Sequence, residues 1–285
     1  MAAALDLASY CDTSLRDHDR DRWLAHLFAP EAHRPALAAL YAFNIEIARV
    51  RELVSGPMPG EVRLQWWADV LEGQGRGEVS SHPVAQALLG AIERYRLPKK
   101  PFLNLIEARR FDLYDDPMPS LVDLEGYCGE TASALFRLAS LILANGEEPG
   151  FADLPGHAGV AYALTGLLRA FPAHAARGQI YLPADILARH GAATDDIFKG
   201  IASPAVLAAL AELRAEARRH LAAAAVAGKG APASVRLASL PAALSVLWLT
   251  CMDKPGYQPF RDVVEVAPWR RQWTLWRAAR RAQRR

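Results

Sequence analysis

The chain has 285 residues, of which 52% are hydrophobic and 22% charged, and its formal net charge is +2. This composition excludes a disordered chain, and the small net charge argues against a general nucleic-acid-binding protein. Three widely separated cysteines without a CxxC pair predict no cysteine-based zinc site. Residues 1–10 lack the features of a secretory signal, and no stretch reaches the roughly 20 apolar residues of a spanning helix. We therefore expect a cytoplasmic protein.

Apolar residues recur at steps of three and four along the chain, as in 30–54 and 120–144. This spacing predicts helices. Residues that agree with it as helix start or stop signals are Ser81, Pro83, Ser120, Gly191 and Pro204. Residues 237–252 are predicted to form one buried core helix. We predict about ten helices and essentially no sheet, in one domain over residues 1–266 with a basic tail over 267–285.

Two groups of polar residues near the ends of helices invite a metal-site interpretation. Asp17, Asp19 and Asp21 alternate, but the positions that hold glycine and glutamate in a calcium loop are occupied here by other residues. Asp17 and Asp21 are therefore predicted to lie on a solvated face with neighbouring arginines. His157 and His174 are predicted to be isolated histidines, without ligand partners at a useful spacing.

Four segments occur in an order that is informative as a set. They are YAF within 27–54, LQWW within 63–73, FDLYDD followed by YC within 111–128, and LLRAFPAHAARGQIYLP within 166–187. Together they resemble the squalene/phytoene synthase family over about residues 6–187. The resemblance implies an all-α, single-domain isoprenoid (terpenoid) synthase fold, with helices around a central apolar cavity. It also implies that the cavity is faced by Tyr41, Glu52, Asp112, Tyr127 and Arg169.

Members of this family join two prenyl diphosphates head to head, and Mg²⁺ absorbs the charge of the leaving diphosphate. Two helices supply aspartates at i and i+4, so that both carboxylates lie on one face. The first pair falls here on Ala48 and Glu52, and the second on Ala170 and His174, with Pro172 expected to interrupt the helical turn between them. A family serine that helps to hold diphosphate falls on Asp21. One glutamate cannot hold a magnesium cluster, so no cofactor is expected unless prenyltransferase activity is retained.

Arginines remain near these positions, and they leave two interpretations open. Arg49, Arg51 and Arg169 could bind a phosphate without a metal, or they could pair with acidic side chains of the protein itself. The candidate ligand-binding residues are Tyr41, Arg49, Glu52, Asp112, Tyr127, Arg169 and His174.

AFNIEIARV followed by LLRA and YLP also resembles the branch of the family that contains the mitochondrial complex I assembly factor 6. The resemblance implies a pseudoenzyme that acts in assembly of respiratory complex I or binds an isoprenoid or other lipid. Its partners would be a respiratory-complex subunit and the inner membrane, not nucleic acid. The alternative is an active prenyltransferase of terpenoid biosynthesis, which condenses farnesyl or geranylgeranyl diphosphate into squalene- or phytoene-like products.

The tail over 267–285 holds seven arginines and no acidic residue. In a helix, Trp269, Trp273 and Trp276 form one aromatic stripe. Tryptophan and arginine are typical of helices that lie on anionic membranes. We therefore expect the tail to contact the inner membrane. The alternative is that the tryptophans pack against the core of the protein.

Overall fold

The computed structural model describes residues 6–75 and 79–284, and within these ranges it contains helices and no β-strand. The prediction of an all-helical fold is confirmed. The helices up to residue 143 are α1 (Leu7–His18), α2 (Arg20–His26), α3 (Arg34–Ala48), α4 (Val50–Leu53), α5 (Pro57–Glu72), α6 (Pro83–Tyr95), α7 (Lys100–Arg110), α8 (Leu121–Cys128) and α9 (Ala134–Leu143). The later helices are α10 (Asp153–Ala176), α11 (Ala184–His190), α12 (Thr194–Phe198), α13 (Pro204–Ala227), α14 (Ala233–Ala238), α15 (Ser245–Met252) and α16 (Pro268–Gln283).

Most of the predicted helix boundaries agree with the structure. The Ser120 hydroxyl accepts a hydrogen bond from the backbone N–H of Asp123 at 3.2 Å and so caps α8. Pro83 and Pro204 open their helices, and Gly191 ends α11 with φ at 64°. The prediction for Ser81 is wrong by one residue, because the side chain of the following histidine caps α6.

Two helix predictions around prolines are wrong. Residues 237–252 do not form one helix: a 3₁₀ turn over Leu240–Leu244, which contains Pro241, separates α14 from α15. Pro172, in contrast, does not interrupt α10, which continues to Ala176. A proline inside a helix removes one backbone hydrogen bond. α10 continues past Pro172 because its other backbone hydrogen bonds remain and because its neighbour Phe171 is buried.

α10 lies at the centre of the molecule and contacts α8, α9, α13, α14 and α15. Between α8 and α9 the chain forms a π-helical turn over Gly129–Ser133, a geometry that is often found at functional sites. α10 packs on this turn through Gly159, where a β-carbon would lie 2.3 Å from the Cα of Ser133. The buried apolar side chains form two large groups, one mainly among α1, α3, α6, α7 and α9 and the other mainly among α8, α10, α13, α15 and α16.

Candidate functional site

A buried carboxylate forms the centre of the first polar cluster. Asp112 lies in the 3₁₀ turn after α7 and is 7% exposed. Its carboxylate accepts hydrogen bonds from the hydroxyl of Tyr127 at 2.9 Å, the hydroxyl of Tyr181 at 2.7 Å and Nη1 of Arg109 at 2.9 Å. Burial raises the pKa of both tyrosines well above the usual value, so that they remain protonated donors at neutral pH. We call these four residues and His174 the Asp112 cluster.

His174 joins the Asp112 cluster from the last turn of α10. Its ring centroid lies 4.7 Å from that of Tyr181. Burial, assisted by the positive charge of Arg177, lowers the pKa of His174 to about 4. The imidazole is therefore neutral at pH 7 and supplies no negative charge at the position that the sequence resemblance aligns with an aspartate.

Glu52 lies apart from this cluster, on the surface. Its side chain is 47% exposed and pairs with Arg177 at 2.9 Å and Arg49 at 3.7 Å. Ala48 ends α3 and Ala170 lies within α10, and neither carries a side-chain oxygen. The interpretation of Arg49 as a residue that pairs with an acidic side chain of the protein agrees with this geometry. Arg51 likewise pairs with an acid, Asp115, at 3.3 Å.

A second polar cluster surrounds Asp21, the residue that the sequence resemblance aligns with a serine of the family. The predicted solvated face is wrong for this residue, which lies in the first turn of a separate helix, α2, and is 7% exposed. Its carboxylate pairs with Nη1 of Arg271 at 3.0 Å and Nη1 of Arg169 at 3.4 Å. The guanidinium of Arg169 also stacks 3.7 Å from the ring of Trp248. We call these four residues the Asp21 cluster.

Tyr41 is buried beside Arg22, the residue that follows Asp21 in α2. The guanidinium of Arg22 lies 5.6 Å from its ring centroid, and burial raises the pKa of Tyr41 to about 12. Tyr41 also borders an internal space of about 10 Å³, which is room for one water molecule. The structure therefore brings Asp112, Tyr127 and His174 together, places Arg169 against Asp21 and Tyr41 against Arg22, and leaves Glu52 half-exposed.

The tail forms α16, which packs on the domain through Leu275, Ala279 and Ala282. Trp269, Trp273 and Trp276 are 67%, 53% and 40% exposed, and the last two stack with centroids 4.9 Å apart. The alternative in which the tryptophans pack against the core is therefore wrong. No helix among the described residues is long and apolar enough to cross a membrane.

Sequence reasoning missed four residues of these clusters, namely Arg109, Tyr181, Trp248 and Arg271. Tyr181 lies within the YLP motif, and Arg109 stands one turn before Asp112, so local signals for both were present. Arg271 is 250 residues from Asp21 in the sequence, and no local pattern connects the two. His157, predicted to be isolated, contacts another histidine, as described below.

The profile of the squalene/phytoene synthase family matches residues 15–277. The NADH dehydrogenase (ubiquinone) complex I, assembly factor 6 of Rattus norvegicus is 32% identical over 213 residues, which cover 74% of this chain and 63% of that protein. The match thus spans less than two thirds of that relative. A 15-cis-phytoene synthase of Synechococcus elongatus is 31% identical over 193 residues, covering 63% of this chain and 61% of that protein. A crystal structure of a dehydrosqualene synthase superposes with a TM-score of 0.80, at 21% identity, over 96% of both chains. The chain therefore belongs to the squalene/phytoene synthase family.

Proposed function

We propose that this protein is a non-catalytic member of its family, which associates with a membrane and assists the assembly of a respiratory NADH dehydrogenase. The observation that carries the non-catalytic part is the chemistry at the positions of the family's metal-binding acids. Ala48 and Ala170 have no oxygen to donate, His174 is neutral, and Glu52 pairs with two arginines. Mg²⁺ requires about six oxygen ligands, so these residues do not fit a magnesium cluster.

The Asp21 cluster also supports a non-catalytic role, because the arginines that could bind a diphosphate substrate are paired within it. Arg169 and Arg271 are the cations near the position of the family's diphosphate-binding serine, and both pair with the carboxylate of Asp21. Arginine forms strong contacts with phosphate and carboxylate alike. A diphosphate would therefore have to displace a buried acid of the protein itself, and it would be repelled by that acid.

The assembly role is supported by the similarity to the rat assembly factor, whose name describes that role for the rat protein. Because the match spans 63% of that relative, we propose the role for the shared helical domain. Depletion of the protein from its native cells should lower the amount of assembled NADH dehydrogenase on blue native gels, whereas the other respiratory complexes keep their levels. An unchanged amount of NADH dehydrogenase would contradict the assembly role and favour an isoprenoid- or lipid-binding role.

Loss of catalysis is tested by incubating the purified protein with farnesyl or geranylgeranyl diphosphate and Mg²⁺. We expect no release of diphosphate above the rate without protein, while a phytoene synthase serves as the positive control. The triple variant Ala48→Asp, Ala170→Asp and His174→Asp restores the acids and is expected to bind Mg²⁺ more tightly than the unaltered protein. Turnover by the unaltered protein would overturn the proposal in favour of an active prenyltransferase.

The membrane part rests on the exposed tryptophans of α16 and the arginines around them. A basic helix is attracted to anionic headgroups by about 1 kcal/mol per basic residue near the surface. Deleting the tail is a poor test, because Leu275 is buried and Arg271 pairs with Asp21. Replacement of the three exposed tryptophans avoids this damage.

We expect the triple variant Trp269→Gln, Trp273→Gln and Trp276→Gln to lose co-sedimentation with anionic vesicles. A matched control replaces Met58 and Val122 by glutamine, since these apolar residues are 75% and 76% exposed elsewhere on the protein. The control should bind vesicles like the unaltered protein, and high salt should weaken binding. Equal binding by the triple tryptophan variant would show that α16 is not the membrane contact.

A further inference from the structure

A cluster of histidines and glutamates lies away from both polar clusters described above. α13 supplies Glu216 and His220, which stand at i and i+4 and so share one face of the helix. α8 supplies Glu125, and α10 supplies His157. Nε2 of His220 lies 2.8 Å from Oε1 of Glu125 and 3.4 Å from Oε1 of Glu216. Three potential ligand atoms therefore lie within 4.8 Å of one another.

A neighbouring arginine shows that these atoms converge on a cation. Nη2 of Arg219 lies 2.9 Å from Oε1 of Glu125 and 3.0 Å from Nε2 of His220, and it also contacts Oε1 of Glu216. One positively charged nitrogen thus touches all three atoms. The Arg219 side chain is 56% exposed, so it can move into solvent without uncovering a buried surface.

The contacts of His220 define the role of each ring nitrogen. An ionised carboxylate only accepts hydrogen bonds, so Nε2 of His220, 2.8 Å from Oε1 of Glu125, donates to it. Nδ1 of His220 then accepts a hydrogen bond from Nδ1–H of His157 at 2.9 Å. A metal ion at Nε2 would move the ring proton of His220 to Nδ1, which would then donate to Nδ1 of His157. Histidines that bind metals are commonly oriented by such a hydrogen bond from the other ring nitrogen. His220 is 5% exposed, so this orientation is also held by packing.

The cluster also has the charge and the space that a metal ion needs. Glu125 and Glu216 both pair with Arg219, so two carboxylates are available to balance the charge of a divalent ion. Glu125, His157 and His220 line a surface pocket of about 650 Å³, which leaves room for water molecules to complete a coordination shell.

We propose that His220 Nε2, Glu125 and Glu216 bind a divalent transition-metal ion, with Zn²⁺ and Mn²⁺ as the matching ions, when Arg219 moves aside. One imidazole nitrogen with two carboxylates suits these ions better than Mg²⁺, which prefers oxygen ligands alone. His157 is a positioning residue that holds the ring of His220 through the contact between their Nδ1 atoms. The bound ion would join α8 to α13, and the site is separate from positions 48, 52, 170 and 174.

The test uses the full-length, untagged protein after treatment with EDTA. Binding of Zn²⁺ is measured by titration calorimetry, and binding of Mn²⁺ is measured by electron paramagnetic resonance. Because Mn²⁺ prefers oxygen and nitrogen ligands, its binding would show that the site is not made of cysteine thiolates. We expect one ion per chain, and no displacement of Mn²⁺ by a hundredfold excess of Mg²⁺. Arg219→Ala removes the competing charge and should tighten binding by about tenfold or more. Its matched control, Arg218→Ala, changes the neighbouring arginine, which pairs with Asp253, and should leave the affinity unchanged.

Removing single ligands distinguishes this site from adventitious binding. Glu125→Gln, Glu216→Gln and His220→Gln should each weaken binding by about tenfold or more, whereas His18→Gln, at an exposed histidine, should not. Melting curves by circular dichroism identify any variant that fails to fold. If His220→Gln does not fold, the metal affinities of the two glutamate variants test the proposal, because these side chains are partly exposed. Absence of binding even in Arg219→Ala, or binding that survives all three ligand substitutions, would overturn the proposal.

Discussion

The neutral state of His174 predicts a specific dependence of stability on pH. Its pKa is about 4 in the folded protein, against about 6.5 in an unfolded chain. Between these values the unfolded chain binds more protons, so the contribution of His174 to stability is complete above pH 6.5 and is lost as the pH falls towards 4. From pH 8 to pH 5, protonation stabilises the unfolded chain by about 2 kcal/mol and the folded protein hardly at all. His174 should therefore account for a loss of about 2 kcal/mol of unfolding free energy.

This loss is measured by urea unfolding, followed by circular dichroism, at pH 8, 7, 6 and 5. The unaltered protein is compared with His174→Gln at each pH, so that the other titrating groups cancel. The difference in unfolding free energy between the two proteins should shift by about 2 kcal/mol across the series, with the unaltered protein losing more. His18→Gln, which replaces an exposed histidine, serves as the matched control for the substitution itself. A constant difference for His174→Gln would refute the burial of a neutral imidazole at this position.

Three further substitutions test the two polar clusters and the packing of α10 on the π-helical turn. The stability of each variant is measured by thermal or urea unfolding. Tyr181→Phe removes one hydrogen bond from a buried carboxylate and should cost about 1.5–3 kcal/mol, a loss that Tyr114→Phe, at an exposed tyrosine, should not reproduce. Arg271→Ala leaves Asp21 with only the longer contact to an arginine and should cost about 1–3 kcal/mol; an unchanged midpoint would mean that the acid is solvated. Gly159→Ala forces a methyl group against the π-helical turn and should cost at least about 1–3 kcal/mol.

The helical content was predictable because apolar spacing and capping residues are local signals. Ser120 and Gly191 carry their boundary information in their own side chain and backbone. Pro172 was misjudged because the same residue type can end a helix or remain inside one, and tertiary packing decides between the two outcomes. Pro241, in contrast, lies in a 3₁₀ turn that separates two helices, and tertiary packing again decides this outcome.

The Asp112 cluster was partly predictable, since the motif order placed Asp112, Tyr127 and His174 near one another through the family resemblance. The burial of Asp21 could not be predicted from the sequence, because its partner Arg271 lies 250 residues away. A carboxylate flanked by arginines in the sequence is expected on the surface; here a distant arginine compensates for its burial. His157 was misjudged in the same way, because its partner His220 is 63 residues away.

The ion pair between Asp21 and Arg271 has a consequence for the order of events during biosynthesis. Domains fold from the N-terminal end as the chain is made, yet α2 presents a buried acid whose partner is synthesised 250 residues later. Until Arg271 has left the ribosome, closing the structure around Asp21 would bury a poorly compensated charge, which is unfavourable. We therefore expect the region around α2 to close fully only after α16 has been made. A chain that ends before α16 should keep the carboxylate of Asp21 more accessible to solvent than the full-length chain does.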